Sequence, residues 1–214
     1  MTYITTNEFY GIGIDESNHH TVPEVYVLAL SRDPNDLEPT EEFLQRDRYK
    51  RKGSRNDHIA MVEEFLEKVS IMRFIVLYQK QINRLGRNGV KAPAMHRLIS
   101  SLEGAVDIEL AQIMIDGEHI PSTHGDLRDM LQSEFDVPID FGQINFMKKA
   151  DRHVPLVNSA DIIAYNLMRI YEKIPDHRRG PFANHRVSLG IHLRDKNTKQ
   201  HYAQRPKGLI KSRR

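Results

Sequence analysis

Gly11-Ile12-Gly13-Ile14-Asp15-Glu16-Ser17 reads as a short β-strand that runs out into two adjacent carboxylates. Strand side chains alternate, so Ile12 and Ile14 share one face and Gly11, Gly13 and Asp15 the other. Two glycines beside Asp15 leave bare backbone, an opening by which a bulky ligand can approach. An acidic strand end on a cleared face suits a metal ion and a large anionic substrate. A strand ending in an ordinary polar turn gives the same local pattern.

Outward from this stretch the chain alternates between strand and helix signals. Glu16 to Pro23 is a polar turn, and Glu24–Ser31, rich in β-branched and aromatic residues, is a second strand, joined by a connection short enough for a hairpin. Residues 37–57 form a highly charged insertion carrying Arg46, Arg48, Lys50, Arg51, Lys52 and Arg55; a charged surface loop is the plain reading. Ile59, Val62, Phe65 and Leu66 are spaced as a helix over 58–69, and 71–78 is a third strand. Residues 82–93 carry Arg84, Gly86, Arg87, Gly89 and Lys91, the composition of an ordinary glycine-punctuated turn or of a loop that can touch phosphates. A helix is expected over 94–102, a strand over 108–116, a helix over 123–134 and a strand over 141–147. The strongest helical stripe is Ala160, Ile163, Ala164, Leu167 and Ile170, within a helix over 159–173. From residue 175 the chain turns basic, with Arg178 and Arg179 leading, and a short strand is expected near 187–193.

Composition sets the outer limits. The 214 residues suffice for one domain with a buried core, and no apolar run is long enough to span a membrane. The first residues lack a basic region followed by an apolar stretch, so no secretory leader is expected. Cysteine is absent, which excludes disulfides, cysteine zinc sites and thiol nucleophiles. Together these lead to the expectation of a cytoplasmic protein. The net charge of +2 is near neutral, so anion binding must come from local clustering of cations.

A three-strand meander followed by helix–strand alternation predicts an α/β fold with a mixed sheet. Two strands end in carboxylates, Asp15 and Asp116, and the late helix carries Asp161 in its first turn. If the first and fourth strands run parallel side by side, one sheet edge gathers all three, with Glu16 adjacent. Crowded carboxylates need a cation. Hard oxygen donors favour Mg²⁺ or Mn²⁺ over zinc. Each acid also has a local explanation: Asp116-Gly117 is a turn signal, Asp161 lies three residues after Asn158 as in a helix cap, and Glu16 can be solvated turn charge. His19 and His20 could shuttle protons or simply occupy a solvated turn.

Gly-Ile-Asp15-Glu16-Ser17, Ile-Met-Ile-Asp116-Gly and Asn-Ser-Ala-Asp161-Ile-Ile-Ala-Tyr, in that order, resemble the ribonuclease H-like superfamily. The likeness covers about residues 9–172. It is nearest to ribonuclease HII and to a group of uncharacterised proteins of that superfamily with an Asp-Glu-Ser strand end and a late Ala-Asp-Ile-Ile-Ala helix. The resemblance implies a five-stranded mixed sheet, a three-strand antiparallel meander plus two parallel strands, flanked by helices. With it goes the expectation of a ribonuclease H-like catalytic domain over 1–174, and the change of composition after Pro175 marks a basic C-terminal appendage over 175–214. Asp15, Asp116 and Asp161 would hold divalent metals, with Glu16 as a further ligand. Asp151 matches an acidic position of the uncharacterised group, but Arg152 follows it where that group has Ser. The Gly-Arg-Gly segment with which ribonuclease HII reads the RNA–DNA junction is replaced by Ser17-Asn18-His19-His20, which sets junction-specific recognition aside.

The resulting expectation is a two-metal, Mg²⁺- or Mn²⁺-dependent nuclease acting on RNA, an RNA–DNA hybrid or structured DNA. Arg48, Lys50, Arg51, Lys52, Arg87, Lys91, Arg178 and Arg179 are the expected phosphate contacts. Its rivals are a nucleic-acid-binding protein of the same fold that does not cut, and a structural or assembly protein in which the acids only cap and turn.

Overall fold

Five strands and five helices form three layers in a computed structural model, which describes residues 9–17, 22–45, 47–175 and 178–189. The strands are β1 (Tyr10–Glu16), β2 (Glu24–Ser31), β3 (Ile71–Leu77), β4 (Ala111–Asp116) and β5 (Ile144–Met147). The helices are α1 (Arg55–Leu66), α2 (Gln79–Leu85), α3 (Arg87–Ser100), α4 (Pro121–Phe135) and α5 (Pro155–Tyr171). The sheet order is β3-β2-β1-β4-β5. β1, β2 and β3 form an antiparallel meander, and β4 and β5 continue the sheet parallel to β1. This is the sheet that the resemblance implies.

The alternation in β1 sorts its residues as the sequence predicts. Ile12 and Ile14 join Tyr26, Leu28, Leu98 and Leu127 in a core under α3 and α4. Val25, Val27, Phe74, Ala160, Ile163 and Leu167 make a second core under α1 and α5. Both faces of the sheet are therefore covered, which is why β2 is buried along its whole length and reads as an apolar run.

The glycines of β1 serve packing, which corrects the reading of them as an opening for a ligand. A Cβ on Gly13 would lie 2.9 Å from the carbonyl carbon of Leu156, and one on Gly11 would lie 3.1 Å from the Leu37 side chain. Bare strand backbone admits a protein neighbour as readily as it admits a substrate, and here Leu156 of α5 takes the space over Gly13 and Leu37 that over Gly11.

Residues 82–93 also depart from expectation. They belong to α2 and α3, separated by Gly86 at φ +73°. Gly89 and Pro93 disfavour a helix locally. Burial of Ile82, Val90, Ala92 and Ala94 against the sheet outweighs that preference. α5 begins at Pro155, four residues earlier than the apolar stripe suggests, because proline is well placed in a first helical turn. Asp161 therefore sits in the second turn of α5, and neither the first-turn placement nor the cap explanation holds. The strands expected at 108–116 and 141–147 each begin with a 3-10 turn, at Ile108–Leu110 and Phe141–Gln143.

The charged insertion is pinned to the body of the protein. Thr40 N–H donates to the His153 carbonyl and Leu44 N–H to the Arg152 carbonyl, each at 2.8 Å. It ends in the capping box of α1, where Ser54 Oγ accepts from Asp57 N–H at 3.2 Å and Asp57 Oδ2 from Ser54 N–H at 2.7 Å. Those bonds hold the Asp57 carboxyl below its usual range, the Ser54 side chain being the main cause.

The first part of the basic C-terminal stretch lies along β3. Phe74 N–H donates to the His185 carbonyl at 3.1 Å, and Val187 N–H to the Phe74 carbonyl at 2.8 Å. Gly180 packs on the Tyr171 ring so closely that a Cβ would lie 2.6 Å from it. The remainder of that stretch, with most of the strand expected near 187–193, is outside the described residues, as are residues 1–8, Arg46, His19 and His20.

Candidate active site

Parallel pairing of β1 and β4 brings two acidic strand ends to one edge. The register pairs Ile14 with Ile115, so Asp15 and Asp116 leave the ladder side by side. Met114 packs with Ala150, Val154 and Val157, and by alternation Asp116 projects to that same face. α5 crosses over Gly13 on the face that carries Asp15, and contributes Asp161.

Asp15, Glu16, Asp151 and Asp161 are all buried; Asp116 is half-buried. Burial first, and then the charges of Asp161, Asp116 and Glu16, push the Asp15 carboxyl well above the usual carboxylate range. The Glu16 N–H, donating to Asp15 Oδ1 at 2.6 Å, pulls the other way without reversing the shift. Asp151 joins through its backbone: its N–H points at Asp116 Oδ1 at 3.4 Å. Asn158 fixes that turn by donating from Nδ2 to the Asp151 carbonyl at 2.7 Å.

Two lysines reach into this edge from opposite sides of the sheet. Lys50, on the pinned insertion, donates to Asp161 Oδ1. Lys91, on α3, donates to Glu16 Oε1 at 2.6 Å. The sequence puts both at phosphates; in this structure each is paired with a candidate ligand. Among the described residues, no three His, Cys, Asp or Glu side chains converge tightly enough to form a metal cage by themselves. The acids are thus electrostatic neighbours, two of them held by ammonium groups.

The other expected phosphate contacts are scattered. Arg48, Arg51, Lys52, Arg178 and Arg179 are exposed, and Arg48 lies over the Tyr49 ring at 4.3 Å. Arg87 opens α3, and its side chain is outside the described set. A groove of about 450 Å³ opens beside Asp116 and Asp151, bordered by Lys91, Phe146, Lys149 and Arg152. Lys148 lines the groove too, and Lys149 and Arg152, which the sequence does not count among the expected phosphate contacts, border it beside the acids. Their signal is a basic pair flanking Asp151 in the residues just before α5.

Ser17, the last residue of the strand-end motif, helps to position the site. It closes the end of β1, donating its N–H to the Val25 carbonyl and accepting Val25 N–H on Oγ, both at 2.8 Å.

No family model matches the chain, and no curated protein sequence matches it. Among solved structures it is similar to the ribonuclease H2 from Pyrococcus horikoshii OT3, at 14% identity over 80% of each chain with a TM-score of 0.45. It is also similar to a chain of the PCNA:RNase HII complex from Archaeoglobus fulgidus, at 19% identity over 80% of this chain and 81% of that one, with a TM-score of 0.47. No helix among the described residues is long and apolar enough to cross a membrane.

Proposed function

We propose that this chain is a divalent-cation-dependent nuclease that hydrolyses phosphodiester bonds of RNA, an RNA–DNA hybrid or structured DNA. The observation that carries the reading is the gathering of Asp15, Asp116, Asp161 and Glu16 where the parallel strands β1 and β4 end, with Asp15, Glu16 and Asp161 buried. Lys50 and Lys91 answer Asp161 and Glu16, and a divalent cation would answer the buried Asp15 among them. All the donors are carboxylate oxygens, which fit Mg²⁺ or Mn²⁺.

Asp15, Asp116 and Asp161, which do not form a closed cage as they stand, would close on the metal to hold it, with Glu16 and Asp151 at its margin. Bound there, a divalent cation supplies Lewis-acid charge and lowers the pKa of water. The chain's own residues do the rest. Asp15 and Asp116 are aimed by the parallel ladder, and Asp161 is fixed by the packing of α5 on Gly13. Ser17 holds the end of β1. Lys149 and Arg152 border the groove from which a phosphate would approach, and Phe146 offers an apolar wall there.

A panel of labelled RNA, hybrid, duplex and branched DNA, incubated with Mg²⁺ and with Mn²⁺, tests the activity. Cleavage that stops in EDTA is expected; binding without turnover in every arm would leave a binder that does not cut. The groove gives a second expectation. Binding measured in Ca²⁺ should weaken with salt, and Lys149→Gln with Arg152→Gln should flatten the log–log salt slope by about 2, roughly one unit for each phosphate no longer neutralised. An unchanged slope would remove the groove from the substrate path.

A further inference from the structure

Lys50 is held at Asp161 by more than its own charge. Asn166 is fully buried and donates from Nδ2 to the Tyr49 carbonyl at 3.1 Å and to the Ile162 carbonyl at 2.8 Å. His58, also buried, meets Asn166 Oδ1 through Nδ1 at 2.7 Å, so the ring nitrogen donates and the amide orientation is fixed. The Tyr49 ring packs edge-on against Phe65 at 5.0 Å. Three parts of the chain, α1, α5 and the insertion, are thus tied together one residue before Lys50. From that anchor the Lys50 ammonium reaches Asp161 and lies 5.7 Å from the centre of the Tyr165 ring, one helical turn further along α5. Buried polar groups are costly unless all are satisfied, and apolar residues would fill these positions as well. What the network adds is a fixed backbone carbonyl, and with it a fixed place for the next side chain.

We infer that Lys50 is a tethered cation that competes with the divalent metal for Asp161 and, once displaced, serves the substrate phosphate; this rests on the nuclease reading. An ammonium and a metal ion cannot share one carboxylate at close range without mutual repulsion. Lys50 therefore neutralises Asp161 in the metal-free protein and must leave it as the metal arrives. Its side chain is 21% exposed, so it has a path outward, whereas Asp161 at 8% does not. The anchor at Tyr49 keeps the displaced ammonium at the acidic edge, where an incoming phosphate needs a positive partner. Asn166 and His58 are positioning residues in this account, acting through the Tyr49 carbonyl.

The test is Mn²⁺ binding to the full chain by calorimetry without nucleic acid, paired with binding of an RNA–DNA hybrid in Ca²⁺. Lys50→Met and, as a second variant that keeps polarity, Lys50→Gln should each bind Mn²⁺ about tenfold more tightly, the scale of removing one partly buried ion pair from the competing state. The same variants should bind the hybrid about tenfold more weakly. Asn166→Ala should tighten Mn²⁺ binding in the same direction, and adding it to Lys50→Met should have little further effect. A purely structural role would not improve metal affinity. Unchanged or weaker Mn²⁺ binding in both Lys50 variants, with normal binding by the unaltered chain, overturns the competition and leaves the nuclease reading standing. No Mn²⁺ binding by any of them, the unaltered chain included, overturns both.

Discussion

Asp15→Asn is expected to lower Mg²⁺-dependent cleavage by about 10³-fold or more while making the metal-free protein more stable. The first effect follows from losing a metal-holding charge, because cation stabilisation of a phosphodiester transition state is worth several kcal/mol, at about tenfold per 1.36 kcal/mol. The second follows from the cost of the carboxylate itself. Burial, then Asp161, Asp116 and Glu16, raise the folded-state pKa of Asp15 above its ordinary value of 3.8. A group shifted this way contributes stability that is fully present below the unfolded value and is lost as pH rises through the folded one. In EDTA the unaltered chain should therefore lose melting temperature from about pH 4 upward relative to Asp15→Asn, and the gap should widen with pH. Saturating Mg²⁺ should reverse the order, since only the unaltered chain gains the full stabilisation from binding. Melting curves across pH, with EDTA and with Mg²⁺, check both signs; a variant less stable at neutral pH in EDTA would contradict the reading of Asp15 as an uncompensated charge.

Gly13→Ala is expected to damage both folding and activity, because β1 and α5 meet there without a spare ångström. The new Cβ would sit 2.9 Å from the Leu156 carbonyl carbon and 3.0 Å from its carbonyl oxygen, both backbone atoms of α5. Backbone cannot rotate away as a flexible side chain can, so strand and helix must part. Overpacking of this kind costs about 1–3 kcal/mol. Asp15 lies two residues beyond Gly13 and Asp161 five residues beyond Leu156, so the same shift opens the acidic edge. A misplacement near 1 Å can cost about 10²-fold in rate. Gly125→Ala is the matched control: it lies inside α4 with nothing within 4 Å of a new Cβ, and should gain roughly 0.5–1 kcal/mol with unchanged cleavage. Equal behaviour of the two variants would show that the β1–α5 contact does not set the site.

The sheet is legible in the sequence because its residues obey one simple rule at a time. Ile12 and Ile14 alternate with glycine, Glu24–Ser31 is a run of strand formers, and Asp15 and Asp116 close their strands where the register puts them. Other features are hidden by signals with two meanings. Gly13 marks a close approach, but nothing local tells a helix from a ligand. Gly86, Gly89 and Pro93 look like loop punctuation until the burial of Val90 and Ala92 is known. Asp161 sits a turn deeper in its helix than the stripe implies, since Pro155 starts α5 rather than ending a loop. The lysines show the sharpest limit. Lys50 and Lys91 lie in basic segments that read as phosphate contacts, yet they pair with acids 111 and 75 residues away in the chain. No local pattern carries a pairing at that distance, and the Asn166–His58 anchor behind Lys50 is equally invisible until α1 and α5 are packed together.

Diffraction from a crystal soaked in Mn²⁺, measured at the manganese absorption edge, tests the central claim most directly. An anomalous peak bounded by the carboxylates of Asp15, Asp116 and Asp161 is the predicted result, with the Lys50 ammonium withdrawn from Asp161. Manganese bound elsewhere on the surface, with no peak at that edge and the Lys50–Asp161 pair intact, would contradict it.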